Sequence, residues 1–163
     1  MNVARKTYMT KPTVLDAAEL ERRESDIEAE LYDIVTRRLQ GRLQSTAVAL
    51  RDAFIKLFGM THSSGDRMQF FLYAAPRIRR LMIDASRAGS GSGTVNLTAL
   101  DLDQWLARLE SFDSECVRMI DLHYFAGLTI RDTAIVLGVS TDTVIRDLRF
   151  AKAWLKARVR TYG

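Results

Sequence analysis

The chain has 163 residues, 47% hydrophobic and 27% charged, with a net charge of +4. This is globular composition that excludes disordered, collagen-like and membrane-embedded chains, and the length allows one core or two small ones. No apolar run approaches the roughly 18 residues of a membrane helix, and Met1 to Thr10 lacks a secretory apolar stretch, so a cytoplasmic protein without membrane insertion is expected.

Cys116 is the only cysteine and His62 and His123 are the only histidines, so neither an intramolecular disulfide nor a metal site is expected. No cofactor motif and no catalytic signature occurs, and the chain is expected not to be an enzyme. The charge is unevenly spread. Residues 16–33 are acidic, Arg77, Arg79, Arg80 and Arg87 face the single acid Asp84, and six bases between Arg146 and Arg160 face only Asp147. Two basic clusters at two helix ends suggest two contacts with a polyanion.

Spacings of three and four between apolar residues predict helix almost throughout, an all-α chain. A short helix is expected near Val14 to Leu20. Ser25 and Glu28 have the spacing of a capping box, opening a helix with the stripe Ile27, Leu31, Ile34, Val35 and Leu39, ended by Gly41. A third helix starts at Ser45 or Thr46, carries Ala47, Leu50, Phe54, Leu57 and Phe58, and stops at Gly59. After a loop, Asp66 caps a longer helix through Phe71, Ile78 and Met82, and Pro76 inside it predicts a kink or break near Tyr73 to Ala75. Ala88 to Thr94 holds three glycines in five residues, the composition of a flexible tether. Helices come next near residues 100–109, 113–125, 129–137 and 141–158. Trp105, Phe112, Phe125 and Trp154 fall among leucines and are expected in the core, as are Phe54, Phe58, Phe70 and Phe71.

The strongest local signal runs from Leu128 to Leu148 and is a helix-turn-helix. Thr129 can cap its first helix, Ala134 is small at the crossing, Gly138 suits a left-handed turn, and Ser140 can cap the second helix. The stripe Val144, Leu148, Ala151 and Leu155 must face the core. Thr141, Asp142, Ile145, Arg146 and Arg149 are then exposed, with Thr143 near the helix start, as major-groove entry requires.

Residues 102–109 and 121–129, then Thr143, Val144, Arg146, Asp147, Arg149, Ala151, Ala153, Trp154 and Leu155, resemble region 4 of the extracytoplasmic-function (ECF) sigma factors. Residues 43–47, 52–57 and 70–84 are similar to region 2 of the same family. The resemblance implies two small helical domains joined by a flexible Gly/Ser linker: an extension over residues 1–24, region 2 over 25–88, the linker over 89–97, and a helix-turn-helix domain over 98–163. It implies a specificity factor that binds the RNA polymerase core enzyme and promoter DNA. Region 2 would engage core through Asp52, Phe54 and Lys56 and the minus-10 element through Arg77, Arg79, Arg80 and Arg87. Region 4 would read the minus-35 element with Thr141, Asp142, Thr143, Arg146 and Arg149.

The chain departs from the family in three places. Asp52 is a single acid flanked by bases where such factors are usually acidic, the basic run after Asp84 is thin, and Pro76 interrupts the helix facing the minus-10 strand. Phosphorylation of Ser45 or Thr46 would add about two negative charges near Asp52, which leaves a regulatory kinase, beside an anti-sigma factor, as a candidate partner. The alternatives to a sigma factor are a stand-alone helix-turn-helix regulator and a degenerate sigma-like adapter that occupies polymerase or a partner without opening promoters.

Overall fold

The computed structural model describes Leu15, residues 17–88 and residues 97–162. The segment 89–96, which holds the expected 89–97 linker except for Leu97 at the start of α5, and most of the first 16 residues lie outside the described residues. Among those described, the regular structure is helical: α1 (Ala17–Arg22), α2 (Glu24–Leu39), α3 (Thr46–Phe58), α4 (Ser64–Ala88), α5 (Leu97–Phe112), α6 (Ser114–Ile120), a π-helical turn (Asp121–Phe125), α7 (Ile130–Leu137) and α8 (Thr141–Tyr162).

Local chemistry explains most boundaries. Ser45 accepts a hydrogen bond from the Val48 amide and starts α3, and Gly59, at φ 88°, ends it. Two starts differ from expectation. The Ser25–Glu28 capping box does not form: Arg23 N–H donates to the Glu19 carbonyl and Ile27 N–H to the Arg23 carbonyl, so backbone bonding carries α1 almost directly into α2 and leaves Ser25 inside the helix. At α4 the capping residue is Ser63 rather than Asp66. The Ser63 hydroxyl accepts from the Asp66 amide at 3.2 Å, and the Asp66 carboxylate accepts from the Ser63 amide at 3.1 Å, a reciprocal box. Helix α4 also runs unbroken from Ser64 to Ala88 through Pro76. The proline removes one hydrogen bond, while the buried Phe70, Phe71, Ala74, Ala75 and Ile78 hold the helix against its neighbours on both sides of that gap.

Two apolar clusters form. The first joins α2, α3 and α4 through Ile27, Leu31, Ile34, Leu50, Phe54, Phe70 and Ile78, and it also takes in Leu122, Ala126 and Leu128 from beyond the expected linker. The second joins α5, α6, α7 and α8 through Leu106, Leu109, Val117, Met119, Val144, Leu148 and Ala151. Phe125 and Leu137 pack against both. The two helical units are therefore fused through one junction.

The aromatic expectations hold for Phe54, Phe70 and Phe71, all buried, and Phe58 packs against them. Phe112 is a correction. It sits at the end of α5, 59% exposed, with its ring 5.5 Å from that of Trp154. Phe54 is 2% exposed and packed between Phe58 and Phe70, each with a ring 5.4 Å away. Its truncation in Phe54→Ala should lower the unfolding free energy by about 3 to 5 kcal/mol, read as a shift in the urea midpoint.

Candidate nucleic-acid interface

The helix-turn-helix is built as its sequence demands. Thr129 accepts from the Asp132 amide at 3.0 Å and starts α7; Gly138 occupies the left-handed region at φ 67°, and Ala134, 4% exposed, sits in the second cluster. Ser140 accepts from the Thr143 amide at 3.1 Å and starts α8, with its hydroxyl also 2.9 Å from that of Thr143. Val144, Leu148 and Ala151 are buried, Leu155 is half-buried, and Thr141, Asp142, Arg146 and Arg149 are exposed on the other side. Arg146 keeps 75% of its side-chain surface while its Nε lies 3.2 Å from Asp147. Thr143 and Ile145 are half-exposed beside them. One helix face thus presents short polar groups at its start and two guanidinium groups a turn later, the order that base-edge and phosphate contacts in a major groove use.

The four arginines of α4 are not grouped on one open face. Arg80 is exposed. Arg77 lies over the Tyr73 ring, its Cζ 3.4 Å from the centroid, donates to the Tyr73 carbonyl, and approaches Glu24 and Glu28 within 3.8 and 3.9 Å. Arg87 pairs with Asp84 at 4.0 Å and Asp103 at 3.5 Å. Arg79 is largely buried, with Nε 3.1 Å from a carboxylate oxygen of Asp121. That oxygen lacks the alignment of a hydrogen bond.

The candidate core-binding residues separate similarly. Phe54 is interior, packed in the first cluster. Asp52 and Lys56 line a cleft of about 400 Å³ between α2 and α3, together with Glu30, Arg37 and Gln44. Lys56 bonds Glu30, which holds its ammonium above the usual lysine range. Glu30 is paired with Lys56 and Asp33 with Arg37, so these two acids of α2 each stand beside a base. Thr46 is buried and accepts from Arg38 at 3.3 Å, and the Ser45 hydroxyl caps α3.

Three groups that composition leaves unassigned have internal roles. The Cys116 thiol is buried, donates to the Asp147 carbonyl at 3.3 Å, and is pushed up to about 11 by burial, then by Asp113 and Asp147. His123 Nδ1 lies 2.7 Å from the Leu128 carbonyl, and His62 is bonded to the Phe58 carbonyl.

The junction between the units leaves little trace in the sequence. Asp121 and Leu122 open the π-helical turn; Arg38, at the end of α2, donates to the carbonyls of Phe125 at 2.7 Å and Tyr124 at 3.2 Å. Arg51 reaches Asp132 at 3.7 Å. An acid inside the apolar run Met119 to Leu122 is the one local signal that a buried partner is needed.

Residues 90–161 match the family model of ECF sigma factors. The match takes in α5 to α8 with the whole helix-turn-helix, so this segment is similar to ECF sigma factors. The family is one of DNA-binding transcription initiation factors. Residues 1–89, with α1 to α4, lie outside the match. Neither the comparison with curated proteins nor that with solved structures returns a match. Among the described residues no helix is long and apolar enough to cross a membrane.

Asp121 titrates unusually. Burial pushes its carboxyl from an ordinary 3.8 up to about 7; Arg79 opposes the rise and Glu110 adds to it. The folded state therefore holds a proton that the unfolded chain releases, so its contribution to stability is full below about pH 4 and is lost as pH rises through 7. Between about pH 5 and pH 8 the native chain should lose about 2 to 3 kcal/mol of unfolding free energy relative to Asp121→Asn, measured by urea titration at each pH.

Proposed function

We propose that the chain is a sigma factor that carries the RNA polymerase core enzyme to promoters. The exposed face of α8, capped by Ser140 and lying within the matched segment, carries this reading. Thr141, Asp142 and Thr143 at the helix start would meet phosphate and base edges of the minus-35 element, and Arg146 and Arg149 would reach guanine acceptors deeper in the groove. The N-terminal unit would act as region 2. Its α2–α3 cleft, with Asp52, Lys56 and Glu30, is the surface offered to core enzyme, and α4, with Arg77, Arg79, Arg80 and Arg87, is the element offered to the minus-10 region.

The chemistry of that role needs positioning and charge rather than covalent steps. Phosphate contacts supply salt-dependent affinity, base contacts supply the choice of site, and polymerase performs the synthesis. A factor of this kind has no reaction of its own. Its place is in the cytoplasm with the enzyme it serves.

Binding of the purified protein to core RNA polymerase, followed by co-elution on gel filtration, tests the partner. Co-elution is expected, and Asp52→Arg should weaken it; elution of the two apart contradicts the assignment. On a promoter fragment selected with the resulting holoenzyme, Arg146→Ala should cost about 1 to 3 kcal/mol of binding and relax preference at one position, while an unchanged footprint and affinity would count against α8 as the reading helix.

A further inference from the structure

Helix α8 points one ridge of side chains directly away from its buried stripe. Val144, Leu148 and Ala151 face the second cluster, and at about 3.6 residues per turn the opposite side carries Asp142, Arg146, Phe150 and Ala153, all exposed. Arg146 and Phe150 are about one turn apart, displaced by about 40° around the axis and about 6 Å along it. Phe150 keeps 46% of its surface, and among the described side chains of α8 it is the large apolar one that stays open to water. Arg149 stands exposed on one flank of the ridge and Thr143 half-exposed on the other.

The ridge has two defined ends. At its start Asp142 sits in the first turn, which Ser140 closes through the Thr143 amide. At its far end Ala153 stops at a Cβ, so Phe150 is the last side chain on this line long enough to enter a groove that the start of α8 occupies. Between them Asp147 holds the Arg146 Nε at 3.2 Å, which leaves the terminal guanidinium nitrogens for an outside pair of acceptors. Along the helix come, in order, an acceptor, a forked donor and an apolar ring.

We propose that Phe150 is a specificity-determining residue of the recognition helix, and that it selects thymine, through the ring methyl group, about two base pairs from the guanine met by Arg146. The proposal deepens the reading of α8 as the helix that enters the major groove, and it rests on that reading. The major-groove edge offers nitrogen and oxygen atoms at every base pair and a single kind of apolar group, the methyl of thymine. A phenyl ring strips water from a polar edge without bonding it, so thymine is the base that gives it an apolar partner. Successive bases on one strand are about 3.4 Å apart, so the roughly 6 Å between Arg146 and Phe150 covers about two steps. Arg146 and Arg149 set positive charge beside the ring, which favours a polyanion over an apolar protein surface as its partner.

Selection of duplexes from a randomised library tests this, with the full-length protein alone in one arm and bound to core RNA polymerase in the other. The parent chain should enrich a guanine and, about two base pairs away, a thymine; Phe150→Ala should keep the guanine and lose the thymine. Replacing that thymine by deoxyuridine removes only the methyl group. It should weaken binding of the parent about fourfold, the value of one methyl-sized apolar contact, and leave binding of Phe150→Ala unchanged. Phe150→Leu should retain part of the discrimination. The comparison of thymine with uracil on the parent chain needs no variant, so it decides the matter even where a variant fails to fold. Equal affinity of the parent for the two bases, or a thymine preference that survives Phe150→Ala, overturns the proposal. If Phe150→Ala weakens co-elution with core enzyme and leaves the thymine preference intact, the ring is a polymerase contact and the proposal is overturned as well. No enriched element in either arm overturns it together with α8 as the reading helix. Guanine and thymine enriched by the protein alone, without any binding of core enzyme, would contradict the sigma-factor reading and uphold the role of Phe150.

Discussion

The seat of the π-helical turn against the N-terminal unit is the contact on which the arrangement of the molecule depends. A π turn places one extra residue in a helical turn, which rotates the chain on its C-terminal side relative to the helix on its N-terminal side. Here the Ala126 amide bonds the Asp121 carbonyl and the Leu128 amide bonds the Leu122 carbonyl, so Leu122, Ala126 and Leu128 all reach the first apolar cluster while Met119 and Ile120 stay in the second. Arg38 then fixes the end of the turn from the other unit. The turn's Phe125 and Leu137 of α7 form the wall that the two clusters share.

The energetics of the junction divide between apolar and charged contacts. Burying three apolar side chains supplies the attraction, of order a few kcal/mol at roughly 25 cal/mol per Å². The Arg79–Asp121 pair supplies selectivity instead, since desolvating both charges offsets most of their mutual attraction. The upward displacement of the Asp121 carboxyl shows which effect is larger: burial raises it more than the neighbouring guanidinium lowers it. A buried pair of this kind makes the junction intolerant of a wrong charge and sensitive to proton concentration.

Much of this molecule is legible in its sequence because its signals are local. Helical periodicity, the Thr129 and Ser140 caps, Gly138 and the stripe Val144, Leu148 and Ala151 each act within a few residues, and each appears where expected. The starts of α2 and α4 depart from expectation because neighbouring polar groups compete there: Ser63 wins over Asp66 as the cap, and backbone bonding through Arg23 overrides Ser25. The residues that sequence reasoning misplaces are those whose role depends on distant chain. Arg79 reads as one of four equivalent basic residues until Asp121 is opposite it, and Phe54 reads equally as contact or core until Phe58 and Phe70 enclose it. Arg38 carries no local mark, because its acceptors lie more than 80 residues away in the chain.

Promoter-directed initiation is the proposed activity, and it would unite the exposed α8 face, the α2–α3 cleft and the arginines of α4. Its most direct test is run-off transcription by purified core RNA polymerase supplemented with this protein on fragments of the source genome. Transcripts that start at discrete sites and depend on the added chain are the predicted result, and their upstream sequences would align into two elements. Core enzyme that initiates no differently with the protein than without it would contradict the sigma-factor role.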